Sequence, residues 1–330
     1  MNPQSSLIPR RDPEFPAGAP CLRRIFGLLL LLGIAGAPLR AQTDDLYVAN
    51  SRDGTIARIT SAGNVSTFVH GLMDPKGLVF DADGNLFVSG QDSSPGNGTI
   101  VKVTKDGAVS LFAGSLNTPV RLAINSVGDL FVTNSQSGII DRVTSSGVVS
   151  TFVAGLDQPF SLAIDSHNDL YVAIIGDDSI AKVTNAGSVS TFLPGGNGVI
   201  GGLTFNPNGD LYVALKEAGQ ILKITSAGAV DTFAAGIPVP SALAFDSRGN
   251  LFVVSPTAGS IYKVTPAGAV SIFATGLSNP IGLAFAPLPR PPPATSTLLP
   301  VAALVLMISV SLVLWWWSEK RGGRQNQQTE

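Results

Sequence analysis

Cysteine is almost missing from this 330-residue chain: Cys21 is the only one. It lies ahead of a cleavage position expected after Ala41, so a mature protein starting at Gln42 contains none. Stability must then come without disulfides, and thiol catalysis and thiolate metal sites are excluded. Histidine is nearly as scarce, with His70 and His167 the only two candidates for an imidazole base. Charged residues make up 13% of the chain and form no basic cluster in its central region. Between Gln42 and Arg290, 13 basic and 19 acidic side chains give a net charge near −6, which offers nucleic acid no electrostatic footprint. Long helical patterns are also absent between Thr43 and Ala286. The abundance of Gly, Ala, Ser and Thr there suits short, tightly turned strands.

What is present is a beat. Leu-(Tyr/Phe)-Val occurs six times, with its leucines at Leu46, Leu86, Leu130, Leu170, Leu211 and Leu251, 40 to 44 residues apart. A four-stranded unit of that length cannot bury its own apolar faces, so copies must pack side by side around an axis. One unit reads as an inner strand Gly77–Asp81, then Leu86-Phe-Val, then Ile100–Thr104, then Ala108–Phe112. The expected fold is all-β, a six-bladed β-propeller of four-stranded antiparallel blades.

Two turns recur. Asp81–Asn85 is repeated at 125–129, 165–169, 206–210 and 246–250, with Gly in the fourth position except in one copy, where Asn168 replaces it. That position calls for a left-handed backbone, which Gly and Asn tolerate best. Asp81-Ala-Asp-Gly-Asn also looks like the start of a calcium loop, yet the 12-residue pattern and its closing glutamate are absent. The second turn carries Gly63, Gly107, Gly147, Gly187, Gly228 and Gly268, each three residues after a Thr. Both turns join alternate strands, so they share one face of the disc, and the variable connections occupy the other. The first Leu-Tyr-Val has no inner strand before it, whereas Gly282–Ala286 follows the last blade. The chain's two ends should therefore complete one blade, removing an exposed edge.

The termini read as addresses. Residues 1–41 resemble a signal peptide: Arg23-Arg24 precedes a short apolar run, and Leu39-Arg40-Ala41 ends it, in the manner of a Sec signal with partial twin-arginine character. A Pro-rich spacer, 288–297, leads to Leu298–Trp317, uncharged and apolar for 20 residues, long enough at 1.5 Å per residue to cross a bilayer as a transmembrane helix. Residues 318–330 form a basic tail expected to stay cytoplasmic. Spacer, helix and tail resemble a Pro-Glu-Pro-type sorting signal, although Pro291-Pro292-Pro293 lacks the glutamate. The reading is a propeller of 42–287 that is exported to the cell envelope and held outside the cytoplasm by a C-terminal span that is retained or cleaved.

Pro75-Lys-Gly-Leu-Val-Phe-Asp-Ala-Asp-Gly-Asn-Leu-Phe-Val, echoed by Pro280-Ile-Gly-Leu-Ala-Phe, resembles the NHL repeat. The chain is similar to the neighbourhood of six-bladed propellers that includes gluconolactonase-like and streptogramin-lyase-like enzymes as well as non-catalytic interaction domains. The resemblance implies the fold strongly and the function weakly. Gluconolactonase-like propellers place Asn and Asp metal ligands where the inner strands begin. The matching positions here are Lys76, Val120, Phe160, Gly201, Ser241 and Ile281, a poor set for a hard dication. A streptogramin-lyase-like mechanism needs a His base with acidic partners at one mouth, but His167 falls in an inner hairpin and His70 after an outer strand, on opposite faces. No Gly-x-Ser-x-Gly elbow is present.

The sequence therefore names no catalytic residue, cofactor or metal ligand. Variable connections mark the functional rim of a repeat protein. The longest is the insertion Gln91–Gly98. Candidate binding residues are Lys76, Arg121 and Phe160 near the channel, and Arg52, Asp92, Asp177, Lys216 and Glu217 around it. We expect a monomeric ring that binds a protein or saccharide through its loop face. The alternative is a lactonase-like hydrolase or lyase with its site at the channel mouth.

Overall fold

The computed structural model describes residues 44–91, 98–287, 311–314 and 316–317, all within the compact unit Thr43–Glu330. Six four-stranded antiparallel sheets form the blades of a propeller. In blade 2 the strands are Leu78–Phe80, Leu86–Gln91, Gly98–Val103 and Val109–Leu116, counted from the axis outward. Blades 3, 4, 5 and 6 begin with the inner strands Pro119–Ile124, Pro159–Ile164, Ile200–Phe205 and Leu243–Phe245. Each inner strand touches the inner strands of its two neighbours, and the ring closes.

Closure is made by the ends of the ring segment. Pro280–Phe285 lies beside Leu46–Asn50 as the inner strand of blade 1, with Leu46 opposite Phe285 and Val48 opposite Leu283. Leu46–Asn50 is buried along its whole length, so without this partner its ladder and apolar side chains would both face water.

Hydrophobic burial occurs between blades. The recurrent leucines, Leu46, Leu86, Leu130, Leu170, Leu211 and Leu251, are at most 1% exposed, and burying such a side chain contributes about 1.5–3 kcal/mol. The aromatic residue that follows each leucine meets an outer-strand Phe of its own blade edge-on, as in Tyr47–Phe68, Phe87–Phe112, Phe131–Phe152 and Tyr171–Phe192. Tyr47, Tyr171, Tyr212 and Phe252 also meet a Phe of an adjacent inner strand, tying neighbouring blades with the same rings.

Both turns form as the sequence requires. Gly63, Gly107, Gly147, Gly187, Gly228 and Gly268 hold φ between 83° and 87°, and each donates its N–H to the carbonyl of the Thr three residues earlier. Asn168, standing where other copies have Gly, holds φ 64°. Asp81 Oδ1 accepts from the N–H groups of Asp83 and Asn85 at 3.0 and 2.8 Å, which makes this loop a closed turn.

The C-terminal expectation falls mostly outside the described residues. Of 298–317, only 311–314 and 316–317 are described, as helix. Among the described residues no helix is long and apolar enough to cross a membrane. The signal segment 1–41, the spacer and the tail also lie outside them.

Candidate functional site

Where the inner strands begin, they leave their ladders. The registers of Pro119–Ile124, Pro159–Ile164 and Ile200–Phe205 each shift between the first residue and the leucine. Such bulges re-aim side chains, and here the freed pairs are Val120-Arg121, Phe160-Ser161 and Gly201-Gly202. Blades 2 and 6 start their inner strands only at Leu78 and Leu243, although Lys76 and Ser241 at the same level still donate their N–H groups to the carbonyls of Ser89 and Val254, and the Gly77 and Ala242 carbonyls accept from those two residues.

The residue just before each inner-strand leucine is Gly77, Arg121, Ser161, Gly202, Ala242 or Gly282. Close approach explains the small ones. A Cβ on Gly77 would meet the Arg121 Cα and Val120 O at 2.9 Å, and one on Gly282 would come within 2.0 Å of Lys76 O. Arg121 is thus the single large side chain in a collar of small residues. It extends across the bore from blade 3 to the opposite blade 6, where Nη2 donates to Ser241 Oγ at 3.2 Å. Its backbone is fixed by Thr133, whose Oγ1 accepts the Arg121 N–H at 3.2 Å and donates to Phe160 O at 2.9 Å.

Arg121 is 7% exposed, and burial pushes its guanidinium down to about 10, still charged at neutral pH. Nη1 has no hydrogen-bond partner among the described residues. Beneath it, the bore is a cavity of about 280 Å³ walled largely by Leu, Val, Ala, Ile and Phe. Above it a pocket of about 420 Å³ opens on the loop face. Lys76, Val120, Phe160, Ser241 and Ile281 line it together with Lys216, Val239, Pro256 and the hydroxyls of Ser51, Thr118 and Ser135. Five of the six mouth positions picked out by the repeat therefore converge on one pocket, with Gly201 as the sixth.

Two cations share the Phe160 ring. Lys216 Nζ lies 4.1 Å and Arg121 Cζ 5.4 Å from its centroid. Lys216 is held below the ordinary lysine range, first by burial and second by the Arg121 charge. Lys76 is already paired, its Nζ 3.2 Å from Asp74 Oδ2. No ion pair among the described residues includes Arg121 or Lys216.

Of the candidate binding residues, Lys76, Phe160 and Lys216 thus line the mouth pocket, and Arg121 lies against Phe160 where the bore cavity begins. Arg52, Asp177 and Glu217 are exposed on the loops and do not line this pocket. Asp177 Oδ1 accepts the Ser179 N–H at 3.1 Å, a turn contact. Asp92 lies outside the described residues. His167 is in the 165–169 turn, its side chain 82% exposed and its Nδ1 3.7 Å from Asp165 Oδ2. His70 is exposed beyond the outer strand Val65–Val69 of blade 1. Neither histidine reaches the mouth. Among the described residues no group of three or more His, Cys, Asp or Glu side chains could hold a metal.

Sequence reasoning missed the link from Arg121 to Ser241, since residues 120 apart come together only once six blades fix the bore. It also missed a use of charge on the turn face. Asp45, Asp129, Asp169 and Asp210, each just before a recurrent leucine, pair with Arg58, Arg142, Lys182 and Lys223 of the third strand. Asn85 and Asn250 occupy that place in the other two blades, and there Lys102 and Lys263 lie over Phe87 and Phe252 instead. The change from Asp to Asn in these two blades was visible in the sequence once both strands were aligned. Grooves between blades at this face, such as the one of about 640 Å³ containing His167 and Lys182, recur at an equivalent place between blades 1 and 2, so they follow from the repeat.

A sequence profile described as the virginiamycin B lyase family matches residues 73–286. A search of curated protein sequences finds no match. Among solved structures, a chain of a nidogen/laminin complex superposes with a TM-score of 0.67 at 18% identity, over 74% of this chain and 98% of that one. A catalytically inactive histidine-to-alanine variant of virginiamycin B lyase from Staphylococcus aureus, with quinupristin, gives 0.57 at 18% identity, over 75% and 94%. A gluconolactonase from Xanthomonas campestris gives 0.51 at 18% identity, over 65% and 84%. At such identities these likenesses establish the fold alone.

Proposed function

This chain belongs to the virginiamycin B lyase family, and we propose that within it the protein is a binding propeller that holds a partner at the loop-face mouth without converting it. One observation carries this reading: the mouth presents Lys216, Lys76 and Phe160 over the buried Arg121, while both histidines lie away from it. The S. aureus lyase becomes catalytically inactive when a single histidine is replaced by alanine. In this chain no imidazole is within reach of a ligand seated at the mouth, so proton abstraction there lacks its usual base. Cationic and aromatic groups on a rigid collar suit recognition.

Apolar Leu298–Trp317, the basic residues after it and the signal-like 1–41 support export, with the propeller tethered outside the cytoplasm. The partner is then a protein or saccharide of the envelope. One experiment addresses both parts. Full-length protein carrying a photoreactive residue at Phe160, or at the turn-face residue Val127 (71% exposed), is irradiated in intact cells. The expected outcome is a discrete adduct from position 160 alone, on a chain whose mass starts at Gln42. Adducts from 127 and not 160 would remove the mouth from the account, and a mass that retains residues 1–41 would remove export.

A further inference from the structure

Resting on the binding reading above, we propose that Lys216 is a nucleophilic amine that captures an aldehyde at the mouth as a reversible imine.

The lysines among the described residues sort by their surroundings. Lys76, Lys182 and Lys223 each sit against an Asp carboxylate, Lys102 and Lys263 lie over Phe87 and Phe252 on the turn face, and Lys105 is exposed. Lys216 alone lines the loop-face pocket with no acid paired to it. Its place is built. The Lys216 N–H donates to Val199 O at 2.9 Å, and Gly201, the sixth mouth position, makes room for the stem, since a Cβ there would come within 3.2 Å of Lys216 Cγ. Nζ then rests 4.1 Å from the Phe160 centroid. It has no hydrogen-bond partner among the described residues, yet unlike Arg121 Nη1 it is not sealed from solvent. A ligand in the pocket can reach it.

This place favours the neutral amine. The side chain is half-buried among largely apolar walls, and burial is the first cause that holds Lys216 below the ordinary lysine range, with the Arg121 charge second. A lysine desolvated beside another cation is a recurrent nucleophile, because the lone pair that attacks exists only after the proton has left. Cation–π attraction to Phe160 works the other way, by about 0.5–2 kcal/mol. Arg121 competes for that ring, its Cζ 5.4 Å from the same centroid, and no paired carboxylate holds the proton on Nζ. The turn face shows the contrary arrangement, where hydrogen bonds to Asp169 and Asp210 push Lys182 and Lys223 up. A lysine kept for its charge alone is better served by that pairing, which the repeat already uses.

The step balances without a co-reactant. The Nζ lone pair forms a bond to the carbonyl carbon, and one proton passes from nitrogen to oxygen to give a carbinolamine. That oxygen then leaves as water with the second amine proton as the C=N bond forms. Water at the open mouth relays the protons, and hydrolysis reverses the sequence. No bond in the ligand's carbon skeleton breaks, so this is capture without conversion. An aldehyde is favoured over a ketone, which is less electrophilic and would bring a second carbon substituent against the Phe160 ring. The same group occurs on an aliphatic aldehyde and on the open-chain end of a reducing sugar. Val120 and Ile281 suit the first, and the hydroxyls of Thr118 and Ser135 suit the second, so the shared chemistry is the aldehyde itself.

The test incubates full-length protein with butanal or with glucose in the presence of sodium cyanoborohydride, from neutral to strongly alkaline pH, and maps the reduced adducts by peptide mass spectrometry. The other lysines are internal controls, so the primary result needs no variant. At neutral pH Lys216 is expected to be trapped at least about tenfold faster than exposed Lys105, and Lys182 and Lys223 slower still. At strongly alkaline pH, where amines in general lose their proton, the advantage of Lys216 shrinks. Arg121→Met slows the trapping of Lys216 severalfold at neutral pH and leaves it unchanged at alkaline pH. Lys216→Arg, which keeps the charge, removes the fast-forming adduct from the intact mass. Butanal trapped ahead of glucose assigns the aliphatic source and glucose ahead of butanal the sugar, and either supports the imine. Trapping at Lys216 no faster than at Lys105 with both probes overturns it. So does an advantage that persists undiminished at alkaline pH, which marks accessibility and not a free lone pair. A photo-adduct from position 160 beside such a failure leaves the binding reading standing, whereas labelling from 127 alone removes that reading whatever Lys216 does.

Discussion

At the scale of the residue, Arg121 gives up stability where the rest of the ring gains it. Its guanidinium is pushed down to about 10 by burial, a displacement that corresponds to a penalty on the order of 3 kcal/mol for keeping the charge in the bore. A base whose folded pKa lies below its unfolded one binds fewer protons when folded only at pH values between the two. Below about pH 10 both states are protonated and the full penalty is present; as pH rises further the folded state sheds its proton first and the penalty is relieved. Arg121→Met should therefore be more stable than wild type by an amount that is constant from neutral pH up to about 9 and shrinks above about 10, as followed by urea unfolding across pH. Because Lys216 is also displaced downward, partly by the Arg121 charge, the same substitution should move the Lys216 titration back toward the ordinary lysine range. If Arg121→Met lowers stability at neutral pH, the uncompensated charge is not what limits the wild-type ring at this point. That Phe160 lies at the mouth and Arg121 beside the channel was legible from the repeat alone. Their joint contact with Lys216 was not, since a strand-to-strand loop of blade 5 reaches Phe160 only once blades 4 and 5 pack side by side.

At the scale of the element, the repeat's glycines divide into two kinds that sequence does not separate. Gly128 holds φ 90° with nothing within 4 Å of where a Cβ would stand, while Gly282 has no such φ but would place its Cβ 2.0 Å from Lys76 O. The first needs Gly for its backbone, the second for the close approach of two inner strands. Gly128→Ala should cost about 1–2 kcal/mol from the left-handed strain alone, and Gly282→Ala about 1–3 kcal/mol or more, because a backbone carbonyl must move. Chemical denaturation of the two variants checks the order. A Gly282→Ala protein as stable as wild type would mean the inner strands of blades 1 and 2 are not packed as closely as described. The turns themselves were readable to the residue, Asn168 included, because a local hydrogen bond and a positive φ leave a direct mark on residue choice. The bulges that aim Val120, Phe160 and Gly201 at the mouth left none, since a register shift depends on how two strands pair and not on what either contains.

At the scale of the whole molecule, the forty-residue period dictates a ring, and the strand missing at its start is supplied from its end. The ring then sorts its surfaces. The turn face is copied from blade to blade in its turns, and four of the six blades carry the Asp–Lys or Asp–Arg pair. The loop face differs in every blade and brings unlike residues, Lys76, Phe160, Lys216 and Ser241, to a single opening. Membership in a lyase family and a mouth that no histidine among the described residues lines pull in opposite directions, and the capture without conversion proposed above accommodates both. Quinupristin is the ligand with which the inactive S. aureus lyase was crystallised, so it offers the most direct test of that central claim. Purified full-length protein is incubated with quinupristin and the mixture is followed by reversed-phase chromatography. The account predicts that quinupristin persists unchanged at any protein concentration; its conversion by the wild type, lost on replacing Lys76, Arg121 and Phe160 together, would contradict it.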